Sequence, residues 1–349
     1  MRYPKFLPEG GTIGFLAPSF GFGGGDYRAE AFNHAVEKWQ SMGYRMMFGP
    51  NCYVQEGVGI SSTPEKCGRE VMDMFLSEEP DCLISCGGGE LMCEILPHVD
   101  FQKLAQGEPV WFMGYSDNTN LTYLLATLAD TASVYGPCAG TFGMEPWHKS
   151  LEDAFSILTG RGGRDGALVE GYDMWERESL RGPEAPFAPY HLTEKRLLRC
   201  YVGKELAEGE LRFRGRLLGG CLDCLVNLLG TRFDRTREFV ERYREDGIIW
   251  FLEACDLNVF AIRRAMWQME EAGWLEHVKG FLVGRPMNGA PMMNLDAWGA
   301  FLEVAGRKNV PVVLDADLGH VPPMMPLVTG SLGEVAVKGN QIRVEMHYV

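Results

Sequence analysis

Short apolar segments alternate with helix-like segments over the first 140 residues, and this alternation constrains the fold more than any other feature. The segments between the apolar runs, near Tyr27–Met42 and Pro64–Ser77, have the spacing of helices with one buried face. The apolar runs are Thr12–Pro18, Tyr44–Phe48, Asp81–Cys86, Val110–Gly114 and Ser133–Pro137. Such alternation predicts a parallel sheet covered by helices, with its ligand site at the carboxyl ends of the strands.

One of these strand ends carries a serine. The run Val110–Gly114 stops at a glycine, Ser116 and Asp117 follow, and an amphipathic helix pattern begins at Asn120. A tight strand–turn–helix corner lifts a serine hydroxyl clear of the sheet, as nucleophilic catalysis requires. The sequence also fits a simpler interpretation, in which the serine or aspartate caps an ordinary helix.

Length and composition restrict the class of protein. A chain of 349 residues is long for one core, and 46% of its residues are hydrophobic, so we predict two packed domains. The predicted organisation is an N-terminal α/β domain over 1–165, a linker or insertion over 166–210, and a smaller C-terminal domain over 211–349. The net charge of −14 argues against nucleic acid and anionic membranes as partners. The N-terminus lacks the apolar core of a signal peptide, so a cytoplasmic location is expected.

Two motifs suggest a cofactor but fit one poorly. The glycine loop after the first strand has Asp26 where a dinucleotide-binding loop needs its third glycine. Among the 10 cysteines, Cys221-x-x-Cys224 has metal-site spacing, yet no second pair stands at a matching distance. We therefore expect no cofactor and no metal.

A serine nucleophile needs a general base, and the base needs an acid that orients it. His320 follows an apolar run and a glycine, which places it at the carboxyl end of a strand; a surface-loop histidine is the alternative. Glu253 closes the apolar run Ile248–Leu252, where an unpaired carboxylate is costly. The nearby Asp256 is a competitor for the same role.

These residues together resemble the LD-carboxypeptidase (peptidase S66) family, including its microcin C immunity-type branch. The resemblance covers most of the chain. It rests on the ordered motifs Ile13–Ser19, Gly88-Gly89, Leu96-Pro97, Gly114-Tyr115-Ser116-Asp117, Gly136-Pro137, Leu218-Gly219-Gly220, Leu229-Gly230-Thr231, Leu252-Glu253, Phe260-x-Ile262-x-Arg264, Gly280-Phe281-x-x-Gly284, Gly319-His320 and Pro326.

The resemblance implies a parallel α/β N-terminal domain and a smaller C-terminal α/β domain with a β-rich core. It implies that Ser116 is the nucleophile, His320 the general base and Glu253 the orienting acid, assembled across the two domains. It further implies that the backbone N–H groups of Asp117 and Gly89 form the oxyanion hole.

The substrate is less well defined by the resemblance. Gly88, Glu90 and Trp175 are candidate substrate-binding residues, although Trp175 also fits simple surface packing. Cys221 replaces the asparagine usual in relatives, and Arg263 replaces an acid. A muropeptide, a microcin-like aminoacyl-nucleotide conjugate and another small peptide all remain open.

The predicted function is a serine peptidase that hydrolyses an amide bond near the carboxyl end of a small peptide or peptidyl conjugate. A homodimer is expected, since dimers are common among look-alikes. Two alternatives stay open at this point. One is a non-catalytic small-molecule binding protein on the same fold, and the other is an esterase or acylaminoacyl hydrolase.

Overall fold

The computed structural model describes residues 1–349 and divides them into two compact units. The N-terminal unit comprises residues 1–164 and 178–191, and the C-terminal unit comprises residues 165–177 and 192–349. Both units combine helices and strands, so the predicted α/β class is confirmed. No helix in either unit has both the length and the apolar character that crossing a bilayer requires.

The N-terminal unit contains the parallel sheet that the alternating pattern predicts. Its neighbouring strands run in the order β5-β4-β3-β1-β2, and every pairing among them is parallel. The strands are β1 Thr12–Leu16, β2 Arg45–Phe48, β3 Cys82–Ser85, β4 Trp111–Gly114 and β5 Ser133–Tyr135. The helices are α1 Tyr27–Ser41, α2 Pro64–Leu76, α3 Phe101–Gln106, α4 Thr119–Ala129 and α5 Lys149–Thr159, with 3₁₀ helices at Met92–His98, Ser116–Asn118 and Ala139–Gly143.

Asp26 has a structural role in the glycine loop after β1. Its carboxylate accepts hydrogen bonds from the backbone N–H groups of Arg28 and Ala29, at 3.0 and 3.2 Å, and so caps the first turn of α1. A helix end already occupied by a carboxylate is a poor site for a pyrophosphate. The capping contact therefore agrees with the sequence argument against a dinucleotide loop.

The C-terminal unit is built on a nine-stranded mixed sheet in the order β10-β9-β14-β13-β12-β11-β16-β17-β6. The strands of this unit are β6 Gly166–Glu170, β7 Met174–Glu176, β8 Leu192–Lys195, β9 Arg199–Val202, β10 Glu205–Leu206, β11 Glu210–Cys221, β12 Ile248–Glu253, β13 Val278–Gly284, β14 Pro311–Ala316, β15 Leu327–Thr329, β16 Leu332–Lys338 and β17 Gln341–His347. Its helices are α6 Leu222–Leu228, α7 Thr236–Arg242, α8 Val259–Glu271 and α9 Ala297–Ala305, with a 3₁₀ turn at Gly306–Lys308.

The central strands β11 to β14 are parallel, and their carboxyl ends carry the residues of interest. Strand β11 alternates exposed and half-buried residues where it pairs with β16, and becomes continuously buried where it pairs with β12. A strand buried on both faces has no need of alternation. This change of pattern within one strand marks where the sheet enters the core.

The segment 166–210, predicted as a linker or insertion, contains the five strands β6 to β10. Strand β6 pairs with β17, and β9 pairs with β14, so both extend the large sheet at its two sides. Strands β7 and β8 form a separate two-stranded sheet. Residues 178–191, between β7 and β8, belong to the N-terminal unit.

Candidate active site

Ser116 sits at the sharpest point of the chain between β4 and α4. Its φ of +63° lies in the left-handed region, which is uncommon for a residue with a side chain and recurs at functional corners. The backbone N–H of Ser116 donates to the hydroxyl of the buried Tyr135, at 3.3 Å. The corner is therefore a strained turn fixed by the adjacent strand, whereas an ordinary N-cap has extended backbone.

A glycine loop after β3 packs directly against this corner. A Cβ built on Gly88 would lie 3.2 Å from both the Cβ and the Oγ of Ser116. At Gly89, a Cβ would lie 2.1 Å from the Ser19 hydroxyl oxygen and 2.9 Å from the Gly59 carbonyl. Side chains are excluded by contact at Gly89 and tightly restricted at Gly88, so the main chain of the loop approaches the serine closely.

Asp117 and Asn118 connect the corner to the loops around it. The Asp117 carboxylate accepts from the Ser19 hydroxyl at 2.6 Å, from the Met92 backbone N–H at 3.0 Å and from the Asn120 amide at 3.1 Å. The Asn118 amide donates to the Gly87 carbonyl at 2.8 Å. These bonds hold the glycine loop and the serine in one arrangement. Asn118 was not singled out from the sequence.

Burial raises the pKa of Asp117 to about 6, although hydrogen bonds from Ser19 and Met92 lower it. The negative charge of Glu90 adds to the upward shift. Glu90 itself is exposed, and its backbone N–H donates to the Gly59 carbonyl at 3.0 Å. The carboxylate of Asp117 therefore holds the corner in place through its hydrogen bonds.

In the C-terminal unit, Glu253 and His320 form a hydrogen-bonded pair. The imidazole Nδ1 of His320 lies 2.8 Å from Oε2 of Glu253, which is the last residue of β12 and 1% exposed. Burial lowers the pKa of His320, but the Glu253 carboxylate and a hydrogen bond with Cys255 outweigh it, so the pKa lies above its ordinary value of 6.5. Asp256, the competing acid, is exposed.

The approach of His320 to Glu253 depends on Gly319. Its φ is +87°, and a Cβ at this position would lie 2.4 Å from Oε2 of Glu253. Only glycine allows both the backbone conformation and the contact. The Gly-His step in the sequence thus has a steric cause.

Asp317 anchors the loop that carries the histidine. This fully buried carboxylate accepts from Arg196 and Arg285 at 2.8 Å each, and from the Tyr172 backbone N–H at 2.8 Å. Two buried arginines around one carboxylate form a fully desolvated ion cluster, which is strong only when it is complete. The sequence analysis missed this cluster because Arg196 lies 121 residues from Asp317 along the chain.

Trp175 lies on β7, opposite Glu194 of β8, and is half-buried. The guanidinium groups of Arg285 and Arg177 lie 5.3 and 5.6 Å from the centre of its ring. Both distances are within the range of cation–π contact. The next residue, Glu176, donates its backbone N–H to the Pro322 carbonyl, so the strand of Trp175 is tied to the loop after His320.

The structure therefore brings the predicted residues together as two groups. Ser116, Asp117, Gly88, Gly89 and Glu90 lie around one corner of the N-terminal unit. Glu253 and His320 lie together in the C-terminal unit. Trp175 belongs to the same unit as the second group and is linked to it through the loop 317–325.

Comparison with known proteins decides the family. The LD-carboxypeptidase N-terminal domain model matches residues 13–136, and the LD-carboxypeptidase C-terminal domain model matches residues 214–335. The chain belongs to the LD-carboxypeptidase (peptidase S66) family. The resemblance inferred from the sequence is thereby confirmed, and so is the two-domain architecture that it implies.

Individual proteins similar to this chain match over almost their full length. The microcin C7 self-immunity protein MccF of Escherichia coli is 23% identical over 351 residues, covering 98% of this chain and 95% of that protein. An MccF-like protein of Bacillus anthracis has a TM-score of 0.82 at 18% identity, with complete coverage of both chains. A muramoyltetrapeptide carboxypeptidase of Oxalobacter formigenes has a TM-score of 0.70 at 19% identity, covering 97% of this chain and 99% of that one. MccF has also been solved with aspartyl sulfamoyl adenosine and with glutamyl sulfamoyl guanosine.

Proposed function

We propose that this protein is a serine peptidase that hydrolyses an amide bond near the carboxyl end of a small peptide or peptidyl conjugate. The observation that carries the proposal is the 2.8 Å hydrogen bond between His320 and Glu253. A buried carboxylate on Nδ1 fixes the imidazole tautomer that leaves Nε2 able to accept a proton. The strained corner at Ser116 supplies the hydroxyl that such a base requires.

In the proposed reaction, Nε2 of His320 takes the proton of Ser116 while Oγ attacks the substrate carbonyl. The N–H groups of Asp117 and Gly89 stabilise the oxyanion, and Gly88 gives the substrate access to them. His320 then protonates the leaving amine, and water hydrolyses the acyl-enzyme by the same steps in reverse. The proposal requires Ser116 Oγ and His320 Nε2 to come within hydrogen-bond reach of each other.

Similar proteins and the chemistry of the candidate residues support a proposal for the substrate class. Proteins similar in structure to this chain include a muramoyltetrapeptide carboxypeptidase and a protein solved with aminoacyl sulfamoyl nucleosides. Trp175 offers a flat aromatic surface, and Glu90 an exposed carboxylate. We propose that the substrate is a muropeptide or an aminoacyl-nucleotide-like conjugate and that these two side chains contact it.

Mass spectrometry of a substrate panel tests the proposal. The panel contains L,D-tetrapeptides, acyl sulfamoyl adenylates and simple esters, each incubated with the wild-type protein and with Ser116→Ala. We expect amide hydrolysis by the wild type and none by the variant, with unchanged circular dichroism. Full turnover by Ser116→Ala overturns the nucleophile assignment, whereas hydrolysis of esters alone indicates an esterase.

Two wider expectations belong to the same proposal. We propose that the protein acts in the cytoplasm as a homodimer. Light scattering of the purified protein measures the oligomeric state, and a mass equal to one 39.0 kDa chain contradicts the dimer.

A further inference from the structure

A cysteine lies beside the Glu253–His320 pair. Cys221 is the last residue of β11, and the parallel register of β11 and β12 places it directly opposite Glu253. Cys221 is 2% exposed. Its Sγ, a carboxylate oxygen of Glu253 and an imidazole nitrogen of His320 all lie within 4.8 Å of one another. A thiol, an imidazole and a carboxylate in one cluster are the ligand types that zinc prefers.

We propose that Cys221, Glu253 and His320 bind a thiophilic divalent cation of the zinc class, and that the bound cation inactivates the Glu253–His320 pair. Tetrahedral zinc places such ligand atoms about 3.4–3.6 Å apart, given bonds of about 2.0–2.3 Å. The Nδ1–Oε2 separation of 2.8 Å must therefore widen by about 0.6 Å, and the longest separation must shorten by about 1.3 Å at most. Side-chain rotations cover changes of this size.

Hydrogen bonds to Asp223 hold the proposed metal ligands in place. The Asp223 carboxylate accepts from the backbone N–H groups of Cys255 at 3.0 Å, Asp256 at 2.9 Å and Leu257 at 3.0 Å, which fixes the chain immediately after Glu253. The Cys221 thiol donates to the same carboxylate at 3.4 Å. Hydrogen-bonded outer groups of this kind orient metal ligands. The carboxylates of Asp223 and Glu253 also lie near the sulfur of Cys221. Their negative charges disfavour an unbound thiolate and favour a thiolate that is bound to a dication.

Binding is an exchange of protons for the metal, with no change of oxidation state. The Cys221 thiol releases its proton to solvent as the metal–sulfur bond forms, and Nδ1 of His320 loses its proton as the metal–nitrogen bond forms. If His320 is protonated beforehand, that proton goes to solvent; if His320 is neutral, Nε2 takes up one proton from solvent in exchange, so the ring has no net loss. A neutral imidazole with the metal on Nδ1 carries its remaining proton on Nε2. That nitrogen cannot then accept the proton of a serine. The loss of activity rests on the proposed function, whereas metal binding itself does not.

Cobalt(II) spectroscopy tests the site without any substrate. The reduced, chelator-treated protein is titrated with Co²⁺, and a cobalt–thiolate charge-transfer band is expected at one equivalent, with Zn²⁺ displacing it. Cys221→Ser should lose this band and bind zinc roughly tenfold or more weakly. Cys200→Ser is the matched control, because it removes a half-buried thiol on β9 that lies outside the cluster, and it should keep the band.

Three results overturn the site. They are a wild-type spectrum without the thiolate band, a Cys221→Ser variant that retains it, and a Cys200→Ser variant that loses it to the same extent. Because Cys221 is buried, Cys221→Ala serves as a second variant, and circular dichroism checks that each is folded. A wild-type titration without the band overturns the site even if both variants fail to fold.

Activity assays separate this inference from the proposed function. Micromolar Zn²⁺ should inhibit hydrolysis by the wild type and by Cys200→Ser, and should inhibit Cys221→Ser far less. Equal inhibition of all three proteins contradicts the inactivation mechanism. Ser116→Ala should bind Co²⁺ like the wild type, so a failure of the peptidase proposal leaves the metal titration unaffected.

Discussion

The Glu253→Gln substitution probes the pair that carries the proposed chemistry. It keeps the size of the side chain but removes the charge 2.8 Å from Nδ1 of His320. At a charge separation of about 4 Å and an effective dielectric constant of about 20, the lost attraction is about 4 kcal/mol, or about 3 pKa units. The side chains of Glu253 and His320 are 1% and 13% exposed, so solvent screens little of this attraction. Burial of the imidazole lowers the pKa of His320 and so opposes the effect of the Glu253 charge.

The sign of the effect on the rate follows from the role of the base. Only neutral His320 can accept the serine proton, so kcat/KM of the wild type should rise with pH through a His320 pKa above 6.5. In Glu253→Gln the rise of kcat/KM with pH should occur about 1–3 pH units lower than in the wild type. The plateau should fall by about 10²–10⁴-fold, because a glutamine amide facing Nδ1 favours the wrong tautomer.

The assay combines pH–rate profiles with NMR titration of the histidine ring signals, which needs no substrate. Asp256→Asn is the matched control, since it removes an exposed carboxylate three residues away and should change neither quantity. A His320 pKa in Glu253→Gln equal to that of the wild type refutes the reasoning. So does a plateau within about threefold of the wild-type value, given the expected loss.

Three further substitutions test the supports of the two groups. Asp317→Asn leaves two buried arginines without a full counter-charge and should cost about 3–5 kcal/mol in urea unfolding; a loss below about 1 kcal/mol contradicts the anchoring role. Gly319→Ala places a Cβ 2.4 Å from the Glu253 carboxylate, at a φ of +87° that alanine rarely adopts. The substitution should displace Glu253 and lower the rate of hydrolysis; a pH–rate profile equal to that of the wild type contradicts this displacement. In Gly89→Ala the new Cβ collides with the Ser19 hydroxyl. The variant should lose about 10²-fold or more in kcat, with a smaller change in KM. A change in KM alone would show that the glycine loop only binds substrate.

The sequence predicted the N-terminal sheet well because each signal is local. The apolar run Val110–Gly114 followed by a serine and a helix pattern corresponds to β4, a 3₁₀ turn and α4. The cost of ending a buried run with a carboxylate likewise pointed to Glu253, which the structure pairs with His320, while Asp256 is exposed.

The features that escaped prediction depend on partners far along the chain. Strands β6 and β9 have mixed polarity, and they are defined by pairing with β17 and β14, more than 100 residues later. The buried cluster of Asp317 with Arg196 and Arg285 has no signature in any short window of sequence. Arg196, a charged residue of the predicted linker, is buried because a tertiary contact with Asp317 supplies its counter-charge.

Labelling with a fluorophosphonate most directly tests the claim that Ser116 is an activated nucleophile. The reagent phosphonylates a serine whose proton a neighbouring base removes, and intact-mass and peptide spectra identify the residue. The account predicts one adduct per chain on Ser116, absent in Ser116→Ala and strongly slowed in Glu253→Gln. A wild-type protein that stays unlabelled, or labelling at another residue with Ser116 unmodified, would contradict it.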